Sequence, residues 1–205
     1  MRAEVEGASG GAIDGVVACA GIGVAVGEPT AITRVNYFGA IATLSGLRDL
    51  RARGDNPRAA AICSLAMLLE RDPAVFDALL ADDEDAAVAA AAQTTGARVY
   101  AATKLALARW IRRNAPTDAW AGAKIPLNGI APGRITSPMT AHLTSGPNLE
   151  ATRAAVPQPL GDFGDTNAPA SLLAWLVSAE NSFVTGQIIM IDGGHEALRR
   201  GEDIW

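Results

Sequence analysis

The chain has 205 residues, of which 49% are hydrophobic and only 5% aromatic, enough for one sizeable core and too few for a second domain of ordinary size. Its formal net charge of -5 carries no long basic run, which excludes the electrostatic footprint of a nucleic-acid binder and points to a small-molecule partner. Cys19 and Cys63 stand in apolar runs without metal-ligand spacing, and neither a signal peptide nor an apolar stretch of membrane length is present; the expectation is a cytoplasmic protein with reduced thiols, no metal and no membrane contact.

In chain order, residues 6–11 form a Gly/Ala/Ser-rich lead without apolar period, expected as a frayed end or a turn. Ile13 to Gly21 is β-rich and ends in small residues, as a buried parallel strand does before a ligand-facing loop. Gly21-Ile22-Gly23 is not read as a phosphate loop, because such a loop opens a helix at once and Val24 to Pro29 is a poor helix start. From Thr30 to about Arg53 the pattern is helical, with Ala31, Val35, Phe38, Ala42, Ser45 and Leu47 on one face. Asn36 falls inside that helix, where an Asn either faces water or bonds something specific. Gly54-Asp55-Asn56-Pro57 breaks the chain, and Ala59 to Ser64 is a second strand, ending in a hydroxyl at the edge where open α/β sheets place ligands.

Asp72-Pro73 is a good cap and first-turn pair, and two helical segments, Pro73 to Ala81 and Asp83 to Gln93, make a helical insertion over about residues 70–96 that Gly96 closes. The next helix carries Tyr100 and the apolar run Ala101 to Ile111, and Pro116 ends it. Ile125 to Ala131 reads as a strand that Pro132-Gly133 turns sharply out of. Asn167 to Ala179 is a helix with Leu172, Leu173, Trp175 and Leu176 as its apolar face, and Gln187 to Ile191 is a closing strand before Asp192-Gly193-Gly194. Strands alternating with helices predict an α/β fold, a single domain with a parallel, doubly wound sheet.

The chemistry-bearing stretch is Y-A-A-T-K, Tyr100 to Lys104. Residues four apart on a helix share a face, so the phenol and the ammonium point into the same space. A fixed ammonium favours the phenolate and lowers the phenol from its usual value near ~10 toward the range useful for acid/base work. Taken alone, the pair reads first as a half-buried ring beside a snorkelling amine. A hydrolase reading fails, since no G-x-S-x-G surrounds Ser64 and neither His142 nor His195 has a recognisable partner; both histidines are expected at the surface or terminus.

A-C-A-G at Ala18 to Gly21, V-N-Y-F-G at Val35 to Gly39, I-C-S at Ile62 to Ser64, Y-A-A-T-K, I-A-P-G at Ile130 to Gly133 and I-D-G-G at Ile191 to Gly194 follow one another in the order of the short-chain dehydrogenase/reductase family. The chain resembles that family over nearly its whole length, and within it is most similar to bacterial 3α-hydroxysteroid dehydrogenase/carbonyl reductases. The resemblance implies a Rossmann-like sheet and a nicotinamide-dependent oxidoreductase that interconverts a secondary alcohol, a hydroxysteroid or similar apolar alcohol, and its ketone. It implies Tyr100 as general acid/base, Lys104 lowering its pKa and holding the nicotinamide ribose, Ser64 orienting the substrate oxygen, and Asn36 holding a water that links Lys104 to solvent. Cys19, Ala20 and Gly21 correspond to the stretch beside the cofactor, commonly Asn-Ala-Gly. Pro132, Gly133, Ile135, Thr136 and Ser137 correspond to the loop that holds the carboxamide, with Ser137 where the family usually has Thr. The loop between Ser137 and Gly161 is expected to close over the substrate with Met139, Leu143 and Leu149.

The front of the family pattern is not found. No strand, T-G-x-x-x-G-x-G turn and helix precede Ile13, so the chain reads as an N-terminally truncated form whose pyrophosphate site and first strands are absent, leaving the strand at Ile13 to Ala20 as an unpaired edge. Of a start placed too far downstream, a decayed gene and a short form with a non-enzymatic role, the first is favoured because Asn36, Ser64, Tyr100 and Lys104 all survive, and this form is expected to bind no dinucleotide at micromolar concentration. The alternative function is a catalytically inactive dehydrogenase-like fragment or interaction module. The resemblance slightly favours NAD and leaves NADP open. The insertion is expected to obstruct tetramer packing and leave a homodimer formed through the C-terminal part.

Overall fold

A computed structural model of the chain describes residues 2–143 and 148–203. Strands β1 (Gly15–Ala18), β2 (Arg58–Ile62), β3 (Leu127–Pro132) and β4 (Ile188–Ile191) form one parallel sheet in the order β1-β2-β3-β4. Val16 stands opposite Ala59, Ala60 opposite Asn128 and Ile130 opposite Ile189. Parallel neighbours need long crossovers, and the chain supplies them as helices. Between β1 and β2 lie α2 (Pro29–Thr33), a π-helical turn (Arg34–Gly39), α3 (Ala40–Gly46) and α4 (Arg48–Arg51). Between β2 and β3 lie a 3₁₀ turn (Leu65–Leu68), α5 (Pro73–Leu80), α6 (Glu84–Ala91) and α7 (Gly96–Asn114). A 3₁₀ segment (Pro138–Leu143), α8 (Asn148–Ala155) and α9 (Asn167–Leu176) link β3 to β4, and α10 (His195–Arg200) follows. The expected α/β fold, Rossmann-like with a parallel sheet, is the observed one.

Side chains alternate across the sheet as strand geometry requires. Val16, Ala18, Ala59, Ala61, Leu127 and Ala131 join the large core with Ile32, Leu44, Leu107 and Ile111 of the helices on one face. Ala60 and Ile130 point the other way and meet Leu173 and Leu176 of α9. The alanine run of β2 is fully buried on both faces, and its short side chains let the helices approach closely. No helix among the described residues is long and apolar enough to cross a membrane.

Several elements differ from the sequence reading. The lead is not frayed: α1 (Arg2–Ser9) forms and is tied to α4 and the residues after it by Arg2–Asp49 at 3.6 Å and Glu6–Arg53 at 3.2 Å. Val5 is its one described apolar contact with the core and the charge pairs supply the rest, so hydrophobic periodicity gave little signal. The long helix expected from Thr30 to Arg53 is four pieces, because the π turn inserts at Arg34–Gly39 and Leu47 leaves helical geometry at φ -101, ψ 3. Gly96 does not close the preceding helices but opens α7, whose N-cap is Thr95. Within α9, Leu173 and Leu176 are buried while Trp175 is 36% exposed. His195, expected at the surface, is buried at the start of α10 with Nδ1 2.9 Å from the Pro157 carbonyl oxygen.

Candidate active site

The carboxyl ends of β1, β2 and β3 are where an open parallel sheet presents ligand-binding groups, and the chemistry-bearing residues gather there. Ser64 lies two residues beyond β2 in extended geometry (φ -169, ψ 153) and caps the 3₁₀ turn, its Oγ accepting from the Ala66 amide at 3.2 Å. From that position its hydroxyl lines the same cavity as Tyr100 and favours the ionised form of the phenol. Tyr100 sits in the second turn of α7, and Lys104 one turn on is buried, its Nζ 5.5 Å from the Tyr100 ring centroid. That Nζ donates to the Ile62 carbonyl at 2.7 Å, the last residue of β2. Thr103 fixes the same turn by donating to the Tyr100 carbonyl at 2.8 Å.

Asn36 is buried in the π turn and grips the backbone of Ile22 from both sides: Oδ1 accepts from its amide at 2.7 Å and Nδ2 donates to its carbonyl at 2.9 Å. A π turn inside a helix often marks a functional position, and here it aims a side chain that a regular helix would rotate away. The Asn36 side chain therefore acts as a clamp on the loop after β1. Gly21 lies between the clamp and the amine: a Cβ there would stand 3.5 Å from Asn36 Oδ1 and 4.0 Å from Lys104 Nζ. Asn36, Ser64, Tyr100 and Lys104 are thus brought together, through Gly21 at one end and the cavity that Ser64 and Tyr100 share at the other.

The electrostatics depart from expectation. Burial pushes the Tyr100 phenol up, and the opposing pull comes from the Ser64 hydroxyl rather than from Lys104. Burial pushes the Lys104 amine down, partly offset by Cys63 and Cys19 nearby. Cys63 itself is buried and pushed up to about 12, so it stays a thiol. Desolvation disfavours every charged form in this pocket, and the ammonium's nearest partner is a carbonyl oxygen, not the phenol.

Pro132 closes β3, and Gly133 follows it against the chain after β4, where a Cβ would come within 2.7 Å of Asp192 Cα and 2.6 Å of Gln158 Oε1. Asp192 is buried and accepts from the amides of Gly194 at 3.0 Å and Glu196 at 2.8 Å, which fixes the I-D-G-G turn. Ile135 bridges to Gly164, Thr136 donates its amide to the Gly164 carbonyl at 2.9 Å, and the Ser137 hydroxyl lies 3.1 Å from that of Thr140. Thr140, which the sequence did not single out, also donates to the Ile135 carbonyl at 2.5 Å and so ties this loop to itself.

Ser64 and Tyr100 open on a cavity of about 250 Å³ lined by Val24, Leu69, Met139, Leu143, Val156 and Phe163. Met139 and Leu143 lie where expected. Leu149 does not line the cavity; Thr152 and Val156, one turn and two turns further along, do. Residues 144–147 of the expected covering loop lie outside the described residues. Arg134 anchors the far side by an ion pair to Asp162 at 3.0 Å, and Arg153 of α8 grips the same carboxylate as well as Glu150 at 2.6 Å. Those guanidinium contacts hold Asp162 well below the usual range, at about 2. Cys19, Ala20 and Gly21 are exposed beside a groove of about 320 Å³ that β1 shares with Val35, Gly39 and Thr43. Bare backbone at Gly21, the buried Lys104 amine and the tied 132–137 loop fit a nicotinamide ring and its ribose. β1 pairs with β2 alone among the described residues.

A family model described as enoyl-(acyl carrier protein) reductase matches residues 85–196. The 3-alpha-hydroxysteroid dehydrogenase/carbonyl reductase of Comamonas testosteroni is 33% identical over 194 residues, 92% of this chain and 74% of that protein. The 3-alpha-hydroxysteroid dehydrogenase of Pseudomonas sp. B-0831, solved with NADH, superposes with a TM-score of 0.89 at 34% identity, covering 99% of this chain and 80% of the other. The Pseudomonas aeruginosa RhlG/NADP active-site complex superposes at 0.68 with 27% identity, covering 94% and 69%.

Proposed function

The chain belongs to the short-chain dehydrogenase/reductase family, and from that premise we propose that it interconverts a secondary alcohol and a ketone with a nicotinamide cofactor. The observation that carries the reading is that Ser64 and Tyr100 line one apolar cavity together, with the Lys104 amine one helical turn from the phenol. Two hydroxyl groups in that arrangement hold one substrate oxygen. Burial keeps Tyr100 protonated, so it donates to a carbonyl oxygen in reduction and takes the proton back in oxidation. Lys104, the backbone of Cys19, Ala20 and Gly21, and the loop of Pro132, Gly133, Ile135, Thr136 and Ser137 are the groups that would hold the cofactor. A bound nicotinamide supplies the hydride acceptor or donor, which no side chain can.

The apolar lining supports a steroid or comparable apolar alcohol, and the NADH in the Pseudomonas sp. B-0831 enzyme favours NAD over the NADP of RhlG. A homodimer through α9 and β4 is supported by Trp175 and by Ile188–Ile191, all partly exposed. Light scattering of the protein beside a Trp175→Glu variant tests it, and an unchanged mass in the variant refutes it. The non-catalytic alternative draws on the open side of β1; saturable NADH binding with alcohol-dependent turnover removes it. The direct test, made in a version extended upstream by a strand, glycine-rich turn and helix, is Tyr100→Phe, which is expected to keep the fold and cofactor affinity and to lower turnover by about 10²–10⁴. Retention of more than about a tenth of the rate shows that another group moves the proton.

A further inference from the structure

The opposite end of the sheet carries a larger cleft, about 700 Å³, at the amino ends of β2 and β3 and the turn that leads into β4. We propose that this cleft is a second small-molecule site, for an organic anion with an aromatic or other flat apolar body. It lies within the usual volume of ligand pockets, and three features of its lining point to that chemistry.

The first is Arg58, the opening residue of β2, which is only 9% exposed and lines the cleft. Its Nε donates to the Asn181 carbonyl at 2.8 Å and its Nη1 to the Pro57 carbonyl at 2.9 Å. Nη2 has no partner and no carboxylate reaches ion-pair distance among the described residues. The guanidinium is held rigidly by these two carbonyls. Asn181 is fully buried, donates to the Leu176 carbonyl at 3.0 Å and accepts from the Val184 amide at 3.0 Å. The fork is thus pre-oriented with one nitrogen left over, the arrangement that binds an oxyanion.

The second is Lys124 on the facing wall. It is exposed, has no ion pair among the described residues, and sits at φ 57, in the left-handed region where glycine is the residue without strain. With Arg58 it sets two cations against one carboxylate, Asp55, in the lining of a protein whose net charge is -5.

The third is Phe183, 96% exposed on the rim. Looseness of its turn does not account for this. Buried Asn128 donates to the Val184 carbonyl at 2.8 Å and accepts from the Gln187 amide at 3.0 Å, while Thr185 accepts from the Leu127 amide at 3.1 Å. A firmly tied turn therefore presents a bare ring beside two unpaired cations.

The test is calorimetric titration with naphthoate and its neutral counterpart naphthalenemethanol, with amide chemical shifts reporting the place of binding. Naphthoate is expected to shift Lys124, Ser182 and Phe183 and to bind about tenfold or more tightly than the alcohol, the worth of one charge-assisted hydrogen bond. Arg58→Gln should lose about that factor. Two further variants guard against misfolding. Phe183→Ser removes only an exposed ring and should weaken naphthoate. Lys124→Gly should weaken it severalfold while raising Tm, because glycine relieves the left-handed strain; a purely structural lysine would move only the Tm. Equal affinity for acid and alcohol overturns the proposal, as do shifts confined to Val24 and Leu143 at the catalytic end, or unchanged binding in both Phe183→Ser and Lys124→Gly. Shifts at Phe183 that follow protein concentration instead of naphthoate also overturn it, and identify the face as a contact between copies of the chain.

Discussion

Asn36→Ala removes both hydrogen bonds that hold Ile22, at 2.7 and 2.9 Å. Leaving a buried backbone group without a partner costs about 1–3 kcal/mol, and since Ile22 is only partly buried the low end applies to each, about 2 kcal/mol in all. With a urea slope of about 2 kcal/mol per molar, the unfolding midpoint should fall by about 1 M. The damage should be local as well. The loop after β1 loses its anchor, and Gly21 lies between that anchor and Lys104 Nζ, so amide exchange of residues 20–24 should accelerate and NADH affinity should fall. Asn36→Asp sharpens the argument: a carboxylate can still accept from the Ile22 amide but places a second oxygen against the Ile22 carbonyl, so it should rescue nothing. Tryptophan fluorescence in urea and hydrogen exchange read both effects. A midpoint within about 0.2 M of wild type, or an Asp variant as stable as wild type, refutes the clamp.

Gly133→Ala places a Cβ within 2.7 Å of the Asp192 backbone, and overpacking against main chain should destabilise by about 1–3 kcal/mol, read as a lower Tm. In alkali, the unfolded chain ionises Cys63 near 9.0 and Tyr37 near 10.0, whereas burial holds both up to about 12 in the fold. Their stabilisation is full below pH 9 and is lost as pH rises through about 12, and Tyr37→Phe should flatten the upper part of that decline in equilibrium unfolding. In acid the sign reverses: Asp162 is lowered from 3.8 to about 2, so the tie between α8 and Arg134 is present above about pH 4 and lost as pH falls through about 2, seen as faster proteolysis at α8 that Asp162→Asn produces already at neutral pH.

The sequence by itself determined the fold class and made Tyr100 and Lys104 legible as the candidate reacting pair. Strands rich in β-branched or small residues between helical runs leave few options but a parallel α/β sheet, and the four-residue spacing of Tyr100 and Lys104 on a helix puts both on one face whatever else the chain does. The Asp72 cap was legible for the same reason: its carboxylate takes the Ala74 and Val75 amides at 3.0 and 3.1 Å, within three residues of itself. What depends on residues far apart was not. The π turn that aims Asn36 at Ile22, the order of α1 through Arg2 and Glu6, and the burial of His195 against Pro157 are tertiary contacts, invisible to a hydrophobic period. Charge states were decided there too. Spacing alone had Lys104 lowering the Tyr100 phenol, but Ile62 takes the ammonium and burial lifts the phenol, because desolvation is set by everything packed around a group rather than by its neighbour along the helix.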